Sequence, residues 1–479
     1  MPSTYAKSNH NLGVQVERSN YLPGDAVVGT VYRRNAMVCP EATIEVVLHG
    51  RTKSKMVVRR NNNNHTYRGR FTLLNSRQRV FQGPVHIPEG VGEQQQWGFA
   101  ITIPTNIDAR LFPQQHDARE SYIPIDSGSV SQMALPASFN SLYSRREAFV
   151  EYYIEATIRY QRKGSWSMET AVAPIHVVTL NPNPPIADFN LLSRRYQQSV
   201  SSQRLVPGME GAELSRKEKM KKFFGSSSVP RFAFNLEVGV PKLLQIGNYP
   251  IPFSMRVVPS WPATTELIRD VPQKAKLVTF GATLETYCNI RCEGLFRPHE
   301  AHWCQKSDLQ SQGFGYRPLS VEIPCAIGNT SPVDVGGVIR LRLPSSSSQG
   351  FTTFNVKVTH RLSWKAKCEI AGESFTTRGT QDVLVIPACS VGLNEQVGSA
   401  PQPVPVDGEM VQSWIVPPDE TAPPPSFAEA QKEDGNQGAS DKGGSNKGGS
   451  EIAGSSKADI AAIERRENAN EAALSNEKL

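Results

Sequence analysis

No apolar run in this chain of 479 residues approaches the ~18–20 residues that cross a bilayer as a helix. Residues 1–13 lack the apolar stretch of an export signal, so none is expected. Cysteine is scarce, seven residues and an odd count. Without an export signal these are expected as reduced cytosolic thiols, and the sequons at Asn64-His65-Thr66 and Asn329-Thr330-Ser331 as unused. Catalytic signatures are missing as well. The chain has no GxSxG elbow, no P-loop and no GxGxxG at a strand–helix junction. Its basic residues form no aromatic-interleaved stripe, so no nucleic-acid partner is expected.

What is present is a period of two. Val27, Gly29 and Val31 alternate with Val28, Thr30 and Tyr32; Ile44, Val46 and Leu48 alternate with Glu45, Val47 and His49. Phe99, Ile101 and Ile103 repeat the pattern up to Pro104, and Val150, Tyr152, Ile154, Ala156 and Ile158 repeat it again. Short runs of this kind, punctuated by Pro and Gly with no helical period between them, predict antiparallel strands with one wet face. The expected fold class is all-β, with two immunoglobulin-like antiparallel β-sandwich domains.

The organisation follows from composition. Residues 1–180 read as the first sandwich, closed by Asn181-Pro182-Asn183-Pro184-Pro185, where each Pro removes a ladder donor. Residues 181–230 read as a basic inter-domain segment with a short helix. Residues 231–389 read as the second sandwich, with strands at 253–258, 277–287, 338–343, 354–362 and 383–386. Residues 390–479 read as a disordered tail, Pro-rich and then Gly/Ser-rich, with a marginal terminal helix from 458. That tail carries 7 basic and 15 acidic residues, a net −8, whereas the preceding 389 residues carry 45 basic and 30 acidic, a net +15. A basic body attracts an anionic partner, either a membrane leaflet or an acidic peptide; the bland reading is that the tail simply offsets it.

One cluster invites a metal reading. Cys288, Cys292, His299, His302 and Cys304 fall within 17 positions. Thiolate and imidazole pairs at such spacing hold zinc. The competing reading, and the expectation, is that Thr286, Cys288 and Ile290 share a strand face and the thiols are small buried hydrophobes. His299-Glu300-Ala301-His302 is one residue short of the metalloprotease signature and follows Pro298. No catalytic residue, metal or cofactor is therefore expected, and the chain is not expected to be an enzyme.

Two linear elements are candidates for contact. In residues 214–224, Lys217, Lys219, Lys221 and Lys222 surround Met220, Phe223 and Phe224. As a basic amphipathic helix this segment suits an anionic membrane surface, or else docks its apolar side on a neighbouring domain. In residues 422–430, Pro423, Pro424 and Pro425 pre-set a polyproline II helix, with Phe427 after it. WW domains read Pro-Pro-x-Tyr; here Phe427 stands where the Tyr belongs and lacks its hydroxyl. The alternative is an inert Pro-rich linker.

Five stretches, in order, resemble the N-terminal domain of arrestins: Tyr21-Leu22-Pro23-Gly24-Asp25 with Val27, Gly29 and Val31; Ile44, Val46, Leu48 and Gly50; Trp97 through Pro104; Leu135-Pro136-Ala137-Ser138-Phe139; and Val150 through Ala156. The similarity is greatest to the alpha-arrestins, the arrestin-related trafficking adaptors, in a fungal-type branch. Residues 231–389 would be the less distinctive C-terminal arrestin domain. The resemblance implies two β-sandwiches without catalytic activity. It also implies an adaptor that binds cytoplasmic segments of membrane transporters or receptors and links them to HECT-type ubiquitin ligase WW domains and endocytic trafficking. The place of action would be the cytoplasm, peripherally at the plasma membrane or endosomes. The chain departs from the family in having no intact Pro-Pro-x-Tyr and in an insertion between Pro104 and Leu135 rich in Gln, Asp and Ser. A cargo-sorting scaffold of the same fold without a ligase link is the alternative.

Overall fold

The computed structural model describes residues 11–60, 63–90, 94–111, 118–162, 164–212, 229–247, 249–294, 296–309, 319–325, 330–344 and 346–390. Nearly all regular structure in them is β.

The first sandwich opens with β1 (Leu12–Val16), β2 (Asn20–Tyr21) and β3 (Ala26–Arg33). Two very long strands follow, β4 (Met37–Arg60) and β5 (Asn63–Ile87), then β6 (Gln95–Thr102). β7 (Phe139–Tyr143), β8 (Arg146–Arg162) and β9 (Ser165–Val177) complete it. One sheet has the order β1-β3-β6; the other has β2-β9-β8-β4-β5, with β7 on β8. The alternation in the sequence becomes two layers: Val27, Val31, Ile44, Leu48, Phe71, Phe99 and Tyr152 all point into one core. Each such large apolar side chain contributes roughly 1.5–3 kcal/mol by leaving water.

The segment 181–230 differs from its reading as a linker. Leu191–Ser201 is a strand, β10, antiparallel to β11 (Arg231–Pro241) over the full length of both. Its polar sequence belongs to an edge strand whose side chains are largely wet. The short helix expected at 214–224 lies outside the described residues. The second sandwich pairs the sheet β10-β11-β13-β17 with a seven-stranded one. Here β13 is Ser254–Pro259 and β17 is Val333–Asp334. The larger sheet runs β12 (Leu243–Gln245), β20 (Glu373–Ile386), β19 (Val356–Ile370), β14 (Ala275–Cys292), β15 (His299–Asp308), with β16 (Val321–Ile323) on β14 and β18 (Phe351–Thr352) on β19. Phe253 centres the core, edge-on to Phe280 and Trp364 at 4.7 and 5.4 Å.

Residues 338–343, expected as a strand, do not form one. A helical turn (Val335–Val338) ends at the first of them, its start fixed by Asp334 accepting from the Gly337 amide at 3.1 Å, and 339–343 continue as a turn and irregular chain. A Gly-Gly pair and an Asp cap outweigh the β-branched residues around them. In the insertion between Pro104 and Leu135, the described residues form two 3-10 turns and a short helix, Ser127–Ser131, capped by Asp126.

The described residues of both sandwiches form one compact unit. The tail from 391 lies outside the described residues.

Candidate functional site

The five Cys and His residues fall on two sides of one β-hairpin. In the β14–β15 register Cys288 faces Trp303 and Cys292 faces His299, whereas Asn289 faces His302 and Tyr287 faces Cys304. Directly paired residues share a sheet face and neighbours along a strand alternate, so His302 and Cys304 are turned away from the two buried thiols. His299 stacks on Tyr67, ring centroids 3.6 Å apart. Burial pushes the Cys288 thiol up to about 12 and Cys292 up to about 11, which keeps both protonated. Among the described residues, no group of three or more His, Cys, Asp or Glu is placed to hold a metal ion.

The two thiols instead belong to the seam between the sandwiches. Met56 and Ala148 of the first pack against Cys288, Ile290, Cys292, Trp303, Val356 and Val358 of the second. Phe354 crosses further, stacking on Phe71 of the first core at 5.0 Å. Within this apolar seam lies a hydrogen-bond chain. Thr52 donates to the Asn355 side-chain oxygen, Asn355 Nδ2 donates to Ser54 Oγ at 2.9 Å, and Ser54 donates to the Arg291 carbonyl. Cys292 Sγ donates to Ser54 Oγ at 3.4 Å. The Ser54 hydroxyl thus uses its single donor and both acceptor sites. Gly69 lets the backbones meet, because a Cβ there would stand 2.8 Å from the Arg291 carbonyl. Arg291 also covers the Tyr122 ring at 4.2 Å, and Trp303 Nε1 donates to Ser141 Oγ at 2.9 Å. Such a network, satisfied throughout, fixes one geometry of approach.

Sequence reasoning missed this seam, though a signal existed. In β4 the core face runs Ile44, Val46, Leu48, Gly50, Thr52, Ser54, Met56. Thr52 and Ser54 are buried, at 0% and 2% exposed. Small hydroxyl residues continuing an apolar face mark a place where that face meets a polar partner.

On the opposite face of the same sheet, Glu151 of β8 lies between Arg51 and Lys53, 2.7 Å from the Lys53 ammonium. Burial raises the Glu151 pKa, but the two cations outweigh it and hold the carboxyl below its ordinary range.

The arrestin-like stretches act within the framework. Gly24 takes φ +97° in the turn that Asp25 closes by accepting from the Leu22 amide at 2.9 Å. In 135–139, the Pro136 carbonyl accepts from the buried Tyr152 hydroxyl at 2.7 Å, and Ser138 Oγ accepts from the Val177 amide at 2.9 Å. These residues fasten strands to one another and present no reactive group. The linear candidates, Lys217 to Phe224 and Pro423 to Phe427, lie outside the described residues, so no site geometry joins them. No helix among the described residues is long and apolar enough to cross a membrane. No family model matches the chain and no curated protein matches it.

Proposed function

We propose that the chain is a non-catalytic adaptor of the alpha-arrestin kind. Its two-sandwich body would hold a cytoplasmic segment of a membrane transporter or receptor. Its tail would offer Pro423–Pro425 and Phe427 to the WW domains of a HECT-type ubiquitin ligase, committing the cargo to endocytic trafficking. It would work in the cytoplasm, against the plasma membrane or endosomes.

The observation that carries this reading is the coupling of the five motif stretches, in family order, to one body of two β-sandwiches joined by a satisfied seam. An enzyme needs converging reactive groups; a docking platform needs shape and rigidity, which the seam supplies. Proximity labelling in intact cells, with the full chain as bait, tests the reading. Enrichment of a WW-containing ligase together with transporters or receptors is expected; absence of both sinks it. One observation favours a second reading, a cargo-sorting scaffold without ligase: Phe427 replaces the Tyr that WW domains bind. Labelling that recovers membrane cargo but no ligase selects this alternative.

A further inference from the structure

The large sheet of the first sandwich ends on β9, and one side of that strand is open. β9 pairs with β8 from Ser165, opposite Arg162, to Ile175, opposite Tyr152. On its other side β2 reaches only His176 and Val177. Among the described residues, nothing pairs with the backbone edge between Ser165 and Ile175. Alternate amides and carbonyls along that edge point outward with no protein partner.

Edge strands are ordinarily guarded by charge or by proline. β5 carries Arg68, Arg70, Arg77 and Arg79; β10 carries Arg194 and Arg195; β15 carries Glu300, Lys306 and Asp308. β9 has no such guard from Ser165 to Ala173. Its one charge there, Glu169, turns inward to Arg33 at 2.8 Å and to the Tyr160 hydroxyl at 2.7 Å. The side chains on the outer face are Trp166, Met168, Thr170 and Val172, all uncharged. Trp166 is 55% exposed and Met168 66%, large apolar groups left in water beside an open backbone.

Only another strand satisfies such an edge along its length. A charged peptide would find no complementary charge in this stripe. The stripe suits its own likeness, because antiparallel self-pairing sets no like charges opposite one another on the outer face. We propose that β9 pairs antiparallel with β9 of a second copy of this chain, about a two-fold axis at Met168, so that the two large sheets run on as one. The inner face selects that register. An axis at Glu169 would set two carboxylates opposite each other, and an axis at Ser167 would leave a ladder over 165–169 alone. An axis at Met168 gives a ladder over 165–171, with Met168 opposite Met168 and Trp166 opposite Thr170 of the second copy. Each Trp166 ring then lies diagonal to the other copy's Met168, within reach of its sulfur. Two-fold pairing presents two tails at once, which raises the avidity of a weak tail motif, but the pairing itself does not depend on the adaptor reading.

The test is sedimentation equilibrium of the full chain from about 1 µM to about 0.3 mM. The mass should rise with concentration from 52.8 kDa toward twice that value. Met168→Lys places two ammonium groups opposite each other at the axis and should weaken association about tenfold or more. Met168→Glu does the same with two carboxylates. Met168 is exposed, so neither variant should lower the melting temperature of the single chain. Mixing the Lys and Glu variants should restore dimers, because the opposed charges then attract. A parent that stays monomeric at the highest concentration overturns the proposal, whether its edge is bare or covered by the chain's own residues. So does a dimer that both charged variants leave intact, and so does a mixture of the two that fails to reassociate.

Discussion

Asn355 and Ser54 lie 301 residues apart in the chain and 2.9 Å apart in space, the Asn amide donating to the Ser hydroxyl. Asn355 is wholly buried and also receives the Thr52 hydroxyl. Replacing Asn355 with Ala strands the buried Thr52 hydroxyl, while Ser54 keeps the Arg291 carbonyl and the Cys292 thiol. A loss of about 1–3 kcal/mol is expected. Denaturant unfolding of Asn355→Ala and of the double variant with Thr52→Val measures it. The double variant should recover part of the loss, because the stranded hydroxyl is gone. Equal or greater loss in the double variant would show that the chain of hydrogen bonds carries no orphan penalty.

The seam should also hold the halves together when the connection is cut. With a protease site inserted at residue 184, between β9 and β10, cleavage is expected to leave the two fragments co-eluting on gel filtration. Trp303→Ala removes a large seam side chain and its bond to Ser141, and should shift the cleaved pair toward separate fragments. Separation without that substitution contradicts a seam of this strength.

Stability should fall in mild acid through His360. It is 3% exposed, and burial lowers its pKa to about 4, against a weaker raising effect of the Ser348 backbone. Between 6.5 and about 4 the unfolded chain binds a proton there that the folded chain does not. The contribution is therefore complete above pH 6.5 and lost as pH falls toward 4, up to roughly 3 kcal/mol. Glu151, held low by its cations, adds a further loss only below its ordinary range. Melting curves of the parent and His360→Gln across pH 7 to 4 should converge as pH falls; parallel curves would remove His360 from the account.

Thiol labelling of the native chain should find Cys304 and Cys325 first. Both are part-exposed, whereas Cys39, Cys288, Cys292, Cys368 and Cys389 are buried. A chelator should leave the melting temperature unchanged. Stoichiometric zinc in the purified protein, or a chelator-induced drop, would restore the metal reading.

The tail peptide 415–432 should bind a ligase WW domain weakly. Changing Phe427 to Tyr restores a hydroxyl worth ~1 kcal/mol, or about fivefold in affinity. Pro424→Ala should weaken both versions. No binding by either would falsify recruitment through this motif.

The fold was legible wherever one face of a strand is wet. Ile44 to Leu48 and Val150 to Ile158 alternate because one side faces the core and the other is more polar, although Val47, Glu151 and Tyr153 on that second side are buried too; both stretches are strands of one sheet. Legibility failed in two kinds of place. β10 is an edge strand with few apolar residues, and its polar Ser, Arg and Gln composition resembles a linker. Residues 338–343 carry apolar residues at strand-like spacing, but the Asp334 cap and the glycines before them set a turn. The metal cluster was misleading for a simpler reason. Spacing along a strand says which residues are near, and only the pairing register says which face each one occupies; Cys292 and Cys304 show the difference.

β4 serves two masters. Its first half, around Ile44 and Leu48, is built into the first core, and its second half, at Thr52, Ser54 and Met56, is built into the seam. At ~3.3 Å per residue its 24 residues form a beam of roughly 80 Å. A beam clamped at one end and loaded at the other transmits force with little bending. Force applied to the second sandwich would thus be felt as leverage on the interior of the first, and the two halves would answer tension as a single mechanical part.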